Sequence, residues 1–374
     1  MQVKYFKCGR KNSNQQKKLN EMSTDLTEYQ QLVNEALEAR LTRCKGLVPE
    51  HLLEVLRGYL LNGGKRLRPL LLMLCCEAFG GKATDVVSAA MAVEMYHNWA
   101  LIHDDIIDHD ALRRGRPSGH VIGAHEGAEA FGLSESASAE YGESVAILAG
   151  DLLQGMAAET MSAMVSLYPT ITPQIVAKMF GRMGRELIGG EQLDVELSHM
   201  PFPKVSETLV QLMITGKTGA LLRFCTATGT AFGLNSVEDD RVFAMGRFGN
   251  LFGVSFQFQD DLLGVFGDTA KLGKPVGSDI REGKRTLLAV RTLAGLDDSR
   301  RKRFLELYGQ HGLSLADIEE VRALMRESGA VESVQKSAEK VLNDAVTVLI
   351  GVMPPSAERR LLQELSFSML KREV

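Results

Sequence analysis

The amino-acid sequence predicts an all-α fold, a single large helical bundle, and three observations carry that prediction. Apolar residues recur at helical spacing through most of the chain. No alternating apolar and polar runs bounded by hairpin turns occur. The Gly, Pro and Ser clusters fall between the periodic stretches, where they punctuate rather than interrupt them. With 374 residues, 45% of them hydrophobic, the chain can bury a sizeable core, and no fixed-period repeat divides it.

The elements follow in order. "EYQQLVNEALEARLTRC", "EHLLEVLRGYLL" and "PLLLMLCCEAFG" have helical apolar spacing and few β-branched residues. "VVSAAMAVEMYHNWALIHDDIID" has the same helical apolar spacing. The small and polar stretch 123–142, "GAHEGAEAFGLSESASAEYG", predicts a loop insertion. Helical spacing resumes in "SVAILAGDLLQGMAAETMSAMVSLY", "PQIVAKMFGRMGRELIGGEQLDVELS" and "SETLVQLMITGKTGALLRFCTATGTAFG". It continues in "DDRVFAMGRFGNLFGVSFQFQDDLLGVFG" and through the C-terminal third. Residues 1–24 read as a flexible basic tail, since the first 20 hold six Lys or Arg and no Asp or Glu. Residues 25–374 read as the helical domain.

Charge and cysteine usage exclude several classes. A net charge of −4 and a pI of about 6.1 do not suit a nucleic-acid surface. No apolar run approaches the length of a membrane span. The five cysteines form no CxxC pair and have no histidine at zinc-ligand spacing, which predicts free thiols in a reducing cytoplasm.

The chemistry is concentrated in "LIHDDIIDHDALRRGRP", residues 101–117. On a helix Asp104 and Asp108 share a face, with Asp105 about 100° round. His97 lies two turns before Asp104 on nearly the same side. The preceding turns are apolar, so these acids end a buried helix and need compensating charge. Mg²⁺, which prefers oxygen ligands and binds through one or two carboxylates plus substrate phosphates, meets that need. Four Asp-Asp pairs occur, at 104, 239, 260 and 297. Those at 239 and 297 sit in polar surroundings and read as a helix start and a loop. The pair Asp260–Asp261 again ends an apolar helix and runs into a Gly- and Lys-rich segment. Two oily helices thus end in paired carboxylates, each followed by cations. A third cationic element, Lys65, Arg66 and Arg68 in "LNGGKRLRPLL", reads either as a solvated turn or as an anion clamp. "TGKTG" at 215–219 is not a P-loop, because position 211 is Gln rather than Gly and no strand precedes it. Lys217 and Thr218 belong on a helix facing the acids.

These motifs, in this order, resemble the trans-polyprenyl diphosphate synthases, of the archaeal-like geranylgeranyl and farnesyl diphosphate synthase type. The resemblance runs from about residue 27 to the end. It rests on "GGKRLRP", "HDDIIDHDALRRGRP", "GKTGALL", "FQFQDDLLG" and "GKPVGSDIREGKRT". It implies the isoprenoid synthase fold around a central apolar cavity, and a cytoplasmic homodimer. The implied reaction joins isopentenyl diphosphate to an allylic diphosphate. Asp104, Asp108 and Asp260 would hold three Mg²⁺ ions, with Asp105 and Asp261 in support. Arg113, Lys217, Thr218, Gln257, Lys274 and Lys284 would hold the allylic diphosphate. Lys65, Arg68, His97 and Arg114 would hold isopentenyl diphosphate.

Two positions depart from the family pattern. The second acidic motif has Gly264 where many relatives have Asp, and Glu191 stands where the family has Gln. Trp99 and Tyr96 lie about 7.5 and about 12 Å along the helix from Asp104. Their rings suit core packing alone. In the family, rings near these positions floor the tail pocket, and an aromatic at Trp99 beside a small Ala100 implies mainly a C20 product, with C15 as a by-product or rival. Two other functions share part of the pattern. A class I terpene cyclase has the helical cavity and the first acidic motif but no need of a second diphosphate site. A non-catalytic subunit of a heteromeric synthase would typically lack the acids present here.

Overall fold

The computed structural model describes residues 12–267, 277–310 and 312–370. Helix α1 (Asn12–Cys44) opens the described chain, so residues 12–24 of the expected tail are helical. Helices α2 (Glu50–Leu60), α3 (Leu67–Ala78) and α4 (Val87–Ile107) follow as expected. Burial explains their sequences. Leu53, Leu56 and Leu60 of α2 are fully buried, three positions on one stripe. Helix α4 is apolar all round because Ala89, Ala90, Met91 and Ala92, successive residues that point to different sides of it, are all buried.

The segment 123–142 corrects the expected loop insertion. It belongs to α5 (Gly119–Phe131) and α6 (Glu135–Ser162), joined by a tight turn at Gly132. Its small residues let two helices touch: a Cβ on Gly123 would lie 3.0 Å from Gly142 Cα. Composition read as turn chemistry is close helix packing instead. Just before α5 the chain makes a two-residue antiparallel pair, β1 (Leu112–Arg113) with β2 (Arg116–Pro117). No alternating run announced it, because two residues carry no period.

A short turn α7 (Thr172–Gln174) runs through a π-helical stretch, Ile175–Phe180, into α8 (Gly181–His199). Helix α9 (Glu207–Ile214) passes through a second π-helical stretch, Thr215–Gly219, into α10 (Ala220–Leu234). Helix α11 (Asp240–Phe266) is capped by Asp239, whose side chain accepts from Arg241 N. The rest comprises α12 (Ser278–Glu282), α13 (Leu287–Gly295), α14 (Asp298–Leu307), α15 (Leu315–Glu327), α16 (Ala330–Val352) and α17 (Ala357–Leu370). Asp297, expected in a loop, is the N-cap of α14. Ser314 and Asp317 make a reciprocal capping box at the start of α15.

The core has two parts, one built on α1 to α6 with α10, the other on α9 and the C-terminal helices. Helix α11 serves both: Phe248 and Phe252 sit in the first, Phe258, Leu262 and Val265 in the second. Four cysteines, Cys44, Cys75, Cys76 and Cys225, are buried and unpaired among the described residues. No described helix is long and apolar enough to cross a membrane.

One buried polar knot ties the first four helices together. Arg66, 3% exposed, donates to Glu94 at 2.8 Å, to Asn34 at 2.8 Å and to the Leu60 carbonyl at the end of α2. Asn98 donates back to the Glu94 carbonyl. Arg66 is therefore a strut and not part of an anion clamp. Removing one partner of a buried ion pair strands the other charge and costs about 3–5 kcal/mol. Glu94→Ala is expected to lose that much stability by urea denaturation; an unchanged midpoint would contradict the strut.

Candidate active site

The apolar ends of α4 and α11 bring their carboxylates to one cavity of about 410 Å³. Asp104, Asp108, Asp260 and Asp261 line it together with Arg68, His97, Arg113, Lys217, Thr218, Gln257 and Lys284. Ala100, Leu101, Leu187, Leu221 and Phe256 form its oily side.

Each acid has a distinct environment. Asp105 is fully buried. Tyr59 donates to it at 2.6 Å, and Arg113 makes a two-pronged contact, Nε to Oδ1 at 2.8 Å and Nη2 to the same oxygen. Burial pushes the Asp105 carboxyl up, while Arg113 and Tyr59 draw it down. Burial also works against the Arg113 charge, but the Asp105 carboxylate beside it outweighs burial and raises its pKa. Burial wins at Asp105, whose carboxyl stays above its ordinary value, while the ion pair wins at Arg113, and Asp105 aims Arg113 at the cavity. The β1–β2 turn makes this possible by folding Arg113 back over α4.

Asp104 and Asp108 face lysines from other elements. Lys217 Nζ lies 2.8 Å from Asp194, 2.9 Å from Glu191 and 3.9 Å from Asp104. Burial opposes the Lys217 charge, and the three acids more than restore it. Burial, with Asp104 close by, pushes Glu191 up to about 8. The shift favours the neutral carboxyl, which is close to the Gln of the family pattern in size, while Lys217 at 2.9 Å works against it. Lys284 Nζ donates to Asp108 at 2.8 Å, and Tyr308 fixes the Lys284 carbonyl at 2.7 Å.

On the facing helix, Thr218 donates to Gln257 at 2.7 Å, and Gln257 donates to Asp261 at 2.8 Å. Burial pushes Asp261 well above the ordinary carboxylate range, with Asp279 and Asp260 adding to the effect. Gly264 acquires a reason here. A Cβ at that position would overlap the Asp279 carboxylate, so the bare backbone leaves space for an acid from α12. Asp279 also lines the cavity.

The basic group behind the cavity is split. Arg68 Nη1 donates to His97 Nε2 at 3.1 Å, and both line the cavity. Burial, and then the adjacent Arg68, hold His97 well below its usual pKa, so it is neutral and can accept that bond. Lys65 and Arg114 are exposed and do not line it. Arg114 nevertheless caps the Gly63 carbonyl at 3.0 Å, which places it beside the same loop. Lys274 lies outside the described residues.

Sequence reasoning did not single out Tyr59 or Asp279. Tyr59 is 46 positions from Asp105 and carries no local signal. Asp279 lies inside a quoted motif, and the missing acid at Gly264 was the clue to it.

A side cavity of about 370 Å³ shares Ala100, Asp104, Leu187 and Glu191 with the main one. Trp99, Ile107, Ile188 and Val195 line it. Trp99 packs on Tyr96 with ring centroids 4.7 Å apart. Trp99 therefore borders the side cavity and Ala100 sits where the two cavities meet.

Comparison with known proteins matches this geometry. The family profile described as polyprenyl synthetase covers residues 49–325. The short chain isoprenyl diphosphate synthase of Methanocaldococcus jannaschii is 37% identical over 269 residues, 72% of this chain and 74% of its own. The geranylgeranyl diphosphate synthase of Saccharolobus solfataricus is 33% identical over 313 residues, 83% of this chain and 87% of its own. Among solved structures, geranylgeranyl pyrophosphate synthetase from Pyrococcus horikoshii superposes with a TM-score of 0.80 at 31% identity, covering 95% of this chain and 100% of that one. Geranylgeranyl pyrophosphate synthase from Corynebacterium glutamicum, complexed with isoprenyl diphosphate and magnesium, gives 0.83 at 29% identity, covering 93% and 99%. Two acidic helix ends facing across one cavity and a profile match over most of the chain lead to the same conclusion: the chain belongs to the polyprenyl synthetase family.

Proposed function

We propose that this prenyltransferase condenses isopentenyl diphosphate with allylic diphosphates, making chiefly a C20 all-trans product with C15 as a minor one. The observation that carries the reading is the single cavity with acids and cations at one end and hydrocarbon at the other. A diphosphate with an isoprenoid tail has the same division. The relatives' names support the substrate class. The acting form in this reading is a cytoplasmic homodimer.

The donor set suits Mg²⁺. Among the described residues no three ligating side chains converge into a cage, and Mg²⁺ usually takes one or two carboxylates with substrate phosphates as the rest. Asp104 on α4, Asp108 at its C-cap and Asp260 on α11 would hold it, three ions in all. When bound, it supplies a Lewis acid at the departing diphosphate oxygens.

The residues of the chain divide the remaining work. Lys217, Lys284 and Arg113 hold the allylic diphosphate, with Thr218 and Gln257 beside them, and Lys274 is assigned to the same group. Their fixed charges meet the negative charge that builds as the allylic carbon–oxygen bond breaks. Asp105 and Asp261 orient Arg113 and Gln257. Arg68, His97, Lys65 and Arg114 hold isopentenyl diphosphate, whose double bond attacks the allylic carbon. The carbon next to the new bond then gives its proton to the departing diphosphate, the C–H pair becoming the new double bond, and no side-chain nucleophile takes part. Ala100, Leu101, Leu187 and Leu221 keep water from the cation. Trp99 and Tyr96 bound the space for the tail.

Incubation of the purified chain with labelled isopentenyl diphosphate and dimethylallyl, geranyl or farnesyl diphosphate tests the reading. Label should enter a prenyl diphosphate; a terpene cyclase or a silent subunit would leave it unincorporated. Asp104→Ala should cut turnover by at least about 100-fold, the scale of losing one preorganised charge-stabilising element, and near-normal activity would refute the assignment. Trp99→Ala should lengthen the product, and an unchanged product profile would remove Trp99 from the floor. Gly264→Asp, which restores the family spelling, should lower kcat/KM by about tenfold, or ~1.4 kcal/mol, because it displaces Asp279. An activity gain would show that Asp279 does not fill that place.

A further inference from the structure

The hairpin that carries Arg113 and Arg114 is a weak structure by itself. Its strands have two residues each, and a lone two-stranded hairpin is at best marginally stable in water. Its turn puts Arg114 and Gly115 in the left-handed region, at φ 53° and 74°. That conformation suits the twist of a hairpin, but a residue with a side chain, such as Arg114, keeps it only where its surroundings hold it.

The hold comes from one short stretch, the end of α2 and the loop after it. Arg114 Nη1 donates to the Gly63 carbonyl at 3.0 Å, and Arg116 Nη1 donates to Asn62 Oδ1 at 2.5 Å. The base of the hairpin is held from the same stretch by a single hydroxyl. Tyr59, 3% exposed, donates to Asp105 Oδ2 at 2.6 Å and accepts from the Gly119 backbone N–H at 3.0 Å. The N–H can only donate, so the phenol keeps its own hydrogen for Asp105 and both bonds form at once. Asp105 lies on α4, before the hairpin, and Gly119 is the first residue of α5, after it. Between these two feet, Asp110 N donates to the Asp105 carbonyl at 2.9 Å and Ser118 N to the Ala111 carbonyl at 3.0 Å, which leaves the connection little slack. Ser118, the N-cap of α5, gives the helix no side-chain cap, and the Tyr59 hydroxyl meets one of its end N–H groups instead. Gly119 permits the approach, since a Cβ there would lie 3.0 Å from Val55 and 3.5 Å from the Tyr59 ring.

We infer that the Tyr59 hydroxyl is a positioning group for both substrates: by joining the two feet of the 105–119 connection it sets Arg113 for the allylic diphosphate and Arg114 for isopentenyl diphosphate. This rests on the prenyl-condensing reading above and adds to it a residue outside the cavity lining, which acts through Asp105 and the hairpin. The two arginines are consecutive, so a shift at the base of the hairpin moves them together. Loss of the hydroxyl leaves the fully buried Asp105 short of a donor and the buried Gly119 N–H unpaired. The connection then relaxes, and both guanidinium groups leave their places.

Steady-state kinetics of the full chain with Tyr59→Phe, which keeps the ring and removes only the hydroxyl, test the inference. KM is read for each diphosphate apart from kcat, because a misplaced arginine loosens a substrate before any bond breaks. Both KM values should rise together, each by at least about threefold, the scale of one lost hydrogen bond. Asn62→Ala, which removes the tie to Arg116, should shift both in the same direction by less, and it carries the test if Tyr59→Phe is too unstable to assay. Thr226→Val removes a buried hydroxyl bond from α10 to the Met245 carbonyl and is the control for lost stability, with a lower Tm and unchanged KM values. Amide hydrogen exchange across 105–119 needs no turnover and should quicken by at least about threefold in Tyr59→Phe but not in Thr226→Val. Unchanged KM values, a rise for one substrate alone, or unchanged exchange would overturn the inference. Failure of the unmodified chain to incorporate labelled isopentenyl diphosphate would instead overturn the prenyl-condensing reading, and the exchange rates would still decide whether the hydroxyl holds the hairpin.

Discussion

Carboxylates at the end of an oily helix are unstable company, and the whole site is organised around that fact. Asp105 on α4 and Asp261 on α11 are almost without solvent. Charge placed there must be met by an opposite charge or give up its ionisation. The two residues take different routes. Asp105 is matched by a guanidinium and a phenol. Asp261 accepts from the amide of Gln257 and is pushed strongly toward its protonated form by burial. Their outward-facing neighbours Asp104, Asp108 and Asp260 are left at the cavity wall, where multivalent cations and phosphates can reach them.

The surrounding cations have the same logic. Lys217 and Lys284 come from segments far apart in sequence, yet each is anchored by several acids. A lysine so held is a fixed charge, already in place when negative charge develops on a leaving group. Arg66 shows the contrast. Although it lies between Lys65 and Arg68, its left-handed backbone and its bonds to Glu94 and Asn34 turn it into the core. The same short motif therefore supplies one strut and one cavity residue.

Much of this was legible in the sequence because apolar periodicity that ends in paired acids has few other uses. The acidic ends of α4 and α11 at the cavity followed from that pattern, and the placing of Lys217 and Lys284 at its wall from the motifs that carry the resemblance. Three things were not legible. The segment 123–142 looked like a loop because Gly, Ala and Ser signal turns as well as tight helix contacts, and only the meeting of Gly123 with Gly142 decides between them. Tyr59 and Asp279 act across long sequence separations, which no periodicity records. The ring contacts that run from Trp99 through Tyr96 and Phe180 to Phe224 draw on α4, the π-helical stretch and α10, so they exist only once the bundle is packed.

The account stands on the claim that the two acidic helix ends bind a metal–diphosphate unit together, neither ligand being well held alone. Calorimetric titration of the protein with Mg²⁺, in the presence and absence of inorganic pyrophosphate, measures this directly. The account predicts weak Mg²⁺ binding alone and much tighter binding with pyrophosphate, with the reciprocal gain for pyrophosphate that linkage requires. Equal Mg²⁺ affinity with and without pyrophosphate would contradict it.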